Sequence, residues 1–109
     1  MKPNYDDPHA QVKRFRDYKT DMRDKCDFVV VGSGPAGSVA TFELSRAGYN
    51  VVLLEEGPPF GPDSYTPEAT RSMANMFRES GLRASLGNIA VPTMHPMCLG
   101  GGSLVNSAI

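Results

Sequence analysis

The chain has 109 residues and a formal net charge of −1, which is enough for one small domain and gives no electrostatic case for nucleic acid or an anionic membrane surface. Hydrophobic residues make up 40% and charged residues 21%, the balance of a soluble globular chain, and no apolar run approaches the length of a membrane span. Two cysteines, Cys26 and Cys98, and two histidines, His9 and His95, are too few and too scattered for a disulfide framework or a metal site.

Residues 1–25 are polar and carry mixed charges, without the apolar centre of a signal peptide, so a cytoplasmic setting is expected. They read as an arm, with a helical piece near "QVKRFRDYK". The character changes at "CDFVVVGSGPAG". Phe28, Val29, Val30 and Val31 form a continuous apolar run, as in a strand buried on both faces of a parallel sheet. "SVATFELSRAGYN" then reads as a helix with Val39, Phe42 and Leu44 on its apolar face and Gly48 as its stop. "VVLLEEG" is a second strand. Strand, turn, helix and strand have the length of a right-handed βαβ crossover.

"PPFGPDSYTP" is loop. "PEATRSMANMFRES" reads as a helix capped by Thr66, with Pro67 at its first position, an apolar stripe of Met73, Met76 and Phe77, and Gly81 as terminator. A methionine-rich stripe points to core packing. Residues 82–97, broken by Pro92 and Pro96, read as loop or short edge strand. "CLGGGSLVNSAI" follows as a glycine loop.

The chemistry lies in "VVVGSGPAG". Gly32, Gly34 and Gly37 match G-x-G-x-x-G between a strand and a helix. Gly32 turns the chain out of the strand, Gly34 lets backbone approach a pyrophosphate, and Gly37 lets the helix pack closely on the sheet. The helix N-terminus offers free N–H groups and partial positive charge to a diphosphate. Seventeen residues separate Gly37 from Glu55, which stands at the end of the second strand where an adenosine ribose is read. A carboxylate there accepts from ribose hydroxyls and repels a 2′-phosphate. Glu56 is the competing candidate, but strand alternation sends it to the other face. NAD and FAD share the adenosine diphosphate half, so these residues leave both open.

"DFVVVGSGPAGSVATFELSRAGYNVVLLEEGP" resembles the FAD-binding segment at the start of the glucose–methanol–choline family of flavin oxidoreductases. "CLGGGSLVNSAI" resembles that family's first signature. The resemblance implies an α/β fold, the N-terminal part of a Rossmann-like FAD-binding domain over residues 26–109. It implies diphosphate contacts from Gly32, Ser33, Gly34, Pro35 and Ala36, and a ribose contact from Glu55. Gly101, Gly102 and Ser103 would pass close to the diphosphate and flavin, with Asn106, Ser107 and Ala108 beside the isoalloxazine ring. Val105 stands where several members carry a histidine bonded to the flavin, so non-covalent FAD is expected. Pro96 and Met97 replace a common Gly-Arg pair, and Gly102 replaces a common serine.

The family's substrate domain and catalytic histidine have no counterpart in these residues. A larger partner chain, or missing C-terminal sequence, is therefore expected to supply them, for oxidation of an alcohol, sugar or sterol hydroxyl with hydride passing to flavin N5. No catalytic residue and no metal ligand is assigned in this chain. The alternatives are another FAD- or NAD-dependent oxidoreductase segment, or a fragment that assembles with a partner and has no enzymatic role.

Overall fold

The computed structural model describes residues 12–61 and 64–105. Strand β1 spans Phe28–Val31, helix α1 Pro35–Arg46 and strand β2 Val51–Leu54. The two strands pair in parallel, Phe28 opposite Val51 through Val31 opposite Leu54. Helix α1 crosses between them and packs on both. The expected βαβ unit is therefore present, although α1 starts three residues before the expected Ser38 and β2 ends at Leu54, short of the two carboxylates.

Local chemistry explains its edges. Gly34 caps α1 in an extended conformation and Pro35 occupies the first helical position, where its missing N–H costs nothing. At the other end Gly48 takes a φ of +92°. The Gly48 N–H donates to the Ser45 carbonyl and the Tyr49 N–H to the Leu44 carbonyl. That is a Schellman ending, and it needs the left-handed residue that glycine supplies. The Asp27 N–H donates to the Asn50 carbonyl, and the Asn50 N–H returns a bond to the Asp27 carboxylate, extending the ladder below the strands.

The faces differ from expectation. Gly37, Thr41 and Leu44 are half-buried on α1, whereas Val39 and Phe42 are each 63% exposed. Val31 is 82% exposed, so β1 is not covered on both faces within these residues. A two-stranded sheet with one helix has too little surface to bury its own apolar side chains.

The second half corrects the sequence reading in two places. Helix α2 spans only Ala69–Met76, with Glu68 at its cap. Thr66 does not cap it: its hydroxyl donates to the Glu68 carbonyl, and its own carbonyl accepts from the Ser72 hydroxyl. The helix stops at Met76 because Phe77 is extended and bridges antiparallel to Pro96. The Arg78 N–H donates to the His95 carbonyl and the Met97 N–H to the Met76 carbonyl, so residues 76–78 run beside 95–97. Tertiary pairing outweighs helix propensity here. A 3₁₀ turn follows at Arg78–Gly81, with Glu79 and Ser80 at φ of 52° and 56°.

Strands β3 (Ala84–Ser85) and β4 (Val91–Pro92) form a short antiparallel pair, as the broken stretch before Met97 suggested. Met76 and Cys98 are the buried apolar side chains among the described residues, and Met73 and Phe77 are half-buried. The methionine stripe is packing, as read. Among the described residues of the arm, Phe15–Asp17 forms a 3₁₀ turn with Phe15 exposed; residues 1–11 lie outside the described residues.

Candidate functional site

The carboxyl ends of β1 and β2 open into a cleft. Gly32, Ser33 and Gly34 line one side and Leu54, Glu55 and Glu56 the other, with Pro96, Cys98 and Gly101 across the top. Residues distant in sequence thus meet at the end of a parallel pair, where open α/β sheets bind ligands.

The glycines can be tested as a cradle. Gly32 has φ of +90°, which lets the chain leave β1 sharply while its N–H still donates to the Leu54 carbonyl, 2.8 Å away. A Cβ on Gly37 would collide with the Gly32 carbonyl oxygen, so the turn and the helix meet there at backbone distance. A Cβ on Gly34 would meet nothing within 4 Å, so that side of the loop is open to a ligand. The N–H groups of Gly34, Ala36 and Gly37 have no backbone partner among the described residues. Open space beside a glycine, free N–H groups and the positive end of a helix together fit a diphosphate.

Glu55 is held from its own chain. Its Oε2 accepts from the Ser33 N–H at 2.8 Å and from the Ser33 hydroxyl at 2.5 Å; its Oε1 accepts from the Gly57 N–H at 2.9 Å. Burial pushes the carboxyl up, but hydrogen bonds from the Ser33 hydroxyl and the Gly57 and Ser33 N–H groups outweigh it and hold the pKa below its ordinary value. The group is therefore a carboxylate at neutral pH and can only accept. With three of about four acceptor positions in use, capacity for a hydroxyl donor remains on Oε1. Glu56, which like Glu55 lies past the end of β2, also lines the cleft and forms an ion pair with Arg78.

The second glycine loop lies on the first. The Gly100 N–H donates to the Ser33 hydroxyl oxygen at 2.8 Å, and a Cβ on Gly101 would come within 2.9 Å of the Gly34 Cα. Gly101–Val105 is a 3₁₀ turn in which the Ser103 hydroxyl donates to the Gly100 carbonyl. The Cys98 thiol is buried below it and donates to the Gly101 carbonyl; burial, with the nearby Glu55 charge, raises its pKa. Pro35 and Ala36 open α1 beside the cleft, and Gly102 stands near Pro96. Asn106, Ser107 and Ala108 lie outside the described residues.

Residues 30–95 match the family model of the NAD(P)-binding Rossmann-like domain. The chain belongs to that family. Over most of its length its sequence is also similar to glucose–methanol–choline (GMC) type oxidoreductases. An uncharacterized GMC-type oxidoreductase of Sinorhizobium fredii is 34% identical over 90 residues, which is 83% of this chain and 18% of the relative. A long-chain-alcohol oxidase of Arabidopsis thaliana is 38% identical over 86 residues, 78% of this chain and 11% of the relative. An oxygen-dependent choline dehydrogenase of Rhizobium johnstonii is 34% identical over 92 residues, 78% of this chain and 17% of the relative. The chain thus spans less than a fifth of the length of these relatives.

The Rossmann-like unit explains one residue that sequence reasoning passed over. A Cβ on Gly57 would overlap the backbone of Met97 and Cys98, and the Leu99 N–H donates to the Pro58 carbonyl at 3.1 Å. Gly57 is the point at which the second loop crosses the end of β2. Its signal was present as the glycine after the paired acids in "LLEEG", but nothing local said what would cross there. No helix among the described residues is long and apolar enough to cross a membrane, and none of their His, Cys, Asp and Glu groups form a metal cluster.

Proposed function

We propose that this chain is the FAD-binding part of a flavin-dependent oxidoreductase that acts on the CH–OH group of an alcohol, sugar or sterol. The observation that carries this reading is the crossing of the two glycine loops at Gly34 and Gly101 beside the Glu55 carboxylate. A nicotinamide site of the simple βαβ kind needs the first loop and the acid. The second loop, seated on the first, is the additional feature that the GMC-type signature brings.

Bound FAD supplies the acceptor for a hydride leaving the alcohol carbon. The residues of this chain hold it. The N–H groups of Gly34, Ala36 and Gly37 bind the diphosphate, the Glu55 carboxylate takes a ribose hydroxyl, and Gly101, Gly102 and Ser103 pass along the diphosphate towards the flavin. Asn106, Ser107 and Ala108 belong beside the flavin ring on the family resemblance. Val105 offers no nucleophile for a covalent link, so the cofactor is held without a bond. The base that takes the hydroxyl proton, a histidine in the family, belongs to polypeptide outside these residues. The exposure of Val31, Val39 and Phe42 supports further polypeptide, a larger partner among the candidates, packed on this unit.

The test is flavin retention by the intact protein, purified with whatever polypeptide accompanies it. The reading expects flavin absorbance that is released on denaturation and is lost in Gly34→Leu, since a side chain there fills the cradle. Absorbance unchanged in Gly34→Leu contradicts it. The second reading is NAD, which the family model admits. It expects no flavin absorbance and binding of NAD in preference to NADP, because Glu55 repels a 2′-phosphate.

A further inference from the structure

Ser33 has a role that the G-x-G-x-x-G pattern does not assign. Its position in the pattern is variable, yet it is 2% exposed and every polar group it carries is engaged. Its N–H and hydroxyl both donate to Glu55 Oε2. Its hydroxyl oxygen accepts from the Gly100 N–H, and its carbonyl accepts from the Ser38 hydroxyl at 2.7 Å. A serine hydroxyl has one proton. Glu55, a carboxylate, can only accept, so that proton lies on the Ser33 side and points at Glu55. The Gly100 N–H occupies a lone pair on the same oxygen. A directed chain results, from Gly100 N–H to Ser33 O–H to Glu55 Oε2, which ties the second glycine loop to the carboxylate through one buried side chain. Its members polarise one another, so each bond strengthens the next.

We propose that Ser33 is a positioning residue that fixes the Glu55 carboxylate, with Oε1 left to accept from a ribose hydroxyl, and couples that orientation to the seating of residues 98–101. The inference rests on the dinucleotide reading for its ligand but not for the coupling itself. Alanine at this position keeps the volume of the side chain and removes both hydroxyl bonds. The Ser33 N–H bond survives, so Glu55 stays near but is no longer fixed.

The experiment is a double-mutant cycle on the intact protein: wild type, Ser33→Ala, Glu55→Ala and the double variant, with the dissociation constant for FAD as readout. Glu55→Gln serves in place of Glu55→Ala if the latter does not fold. Ser33→Ala is expected to weaken FAD binding about tenfold in the wild-type background, the size of one hydrogen bond to a charged group. In the Glu55→Ala background it has little further effect, and Ser33→Thr recovers most of the loss. Additive losses, or none for Ser33→Ala, overturn the proposal, since a merely structural serine acts independently of Glu55. A protein that binds no flavin in any form contradicts the proposed function instead. The coupling is then decided by amide hydrogen exchange at Gly100 in the flavin-free protein. Exchange at least several-fold faster in both Ser33→Ala and Glu55→Ala supports it; unchanged exchange in Glu55→Ala overturns it.

Discussion

Residues 28–57 and residues 66–97 are of similar length and are built in different ways. In the first, each element follows from its own residues: an apolar run gives β1, a glycine turn reverses the chain, Pro35 starts α1 and Gly48 ends it. In the second, the bonds that matter connect distant segments. Residues 76–78 run beside 95–97, and α2 ends where that pairing begins. The first region presents the cleft. The second carries Pro96 over it and leads directly to Cys98. A ligand site of this kind combines a locally coded cradle with a lining delivered by tertiary pairing.

That contrast can be broken most severely inside the cradle. Gly37→Ala places a methyl group against the Gly32 carbonyl. A loss of about 2 kcal/mol or more is expected in chemical denaturation, since overpacking at backbone distance cannot relax through a side chain. Gly34→Ala should change stability by less than ~1 kcal/mol, because its Cβ enters open space. If the two variants unfold alike, the glycines do not divide their roles as described.

The next effect is one of pH. The folded-state pKa of Glu55 lies below its ordinary value of 4.5. Its contribution is therefore fully present above that ordinary value and is lost as pH falls through the lowered folded value. A melting-temperature series from neutral to acid pH should show that acid limb, and Glu55→Gln should flatten it. A series of unchanged shape would mean that the hydrogen bonds from Ser33 and Gly57 do not favour the charged form.

Smaller effects sharpen the second region. Ser80→Gly should raise stability by about 0.5 kcal/mol: it relieves roughly 1 kcal/mol of left-handed strain, part of which returns as freedom of the unfolded chain. Arg78→Ala should have the smallest effect, because its ion pair with Glu56 is largely exposed. Whatever melting temperature it costs should vanish in about 1 M salt. A loss that persists in salt would mean that the pair helps to hold 76–78 beside 95–97.

The same division explains what could be read in advance. The βαβ unit and the three glycines were legible because periodicity and turn chemistry act over a few residues. The end of α2 was not. Nothing within "SMANMFRES" announces that Phe77 will pair with Pro96. The Thr66 cap failed for a related reason, since its hydroxyl bonds to the Glu68 carbonyl and not to a helical N–H. In the site, Glu55 was legible as an acid at the right distance. That its partners would be Ser33 and Gly57 follows from the turn out of β1 meeting the end of β2, and that Gly57 would be a crossing point depends on a loop about forty residues later. The apolar face of α1 shows a further limit. Val39 and Phe42 are exposed here, and only a description of what covers them distinguishes a helix face that meets the sheet from one that meets another layer.

The measurement that bears most directly on the central claim is native mass spectrometry of the protein purified from its source, followed by the same sample denatured. The account predicts an intact species that carries FAD and releases it unmodified on denaturation, leaving this chain at its unadorned mass. An intact species without flavin, or one that releases a nicotinamide dinucleotide in its place, would contradict the flavin reading.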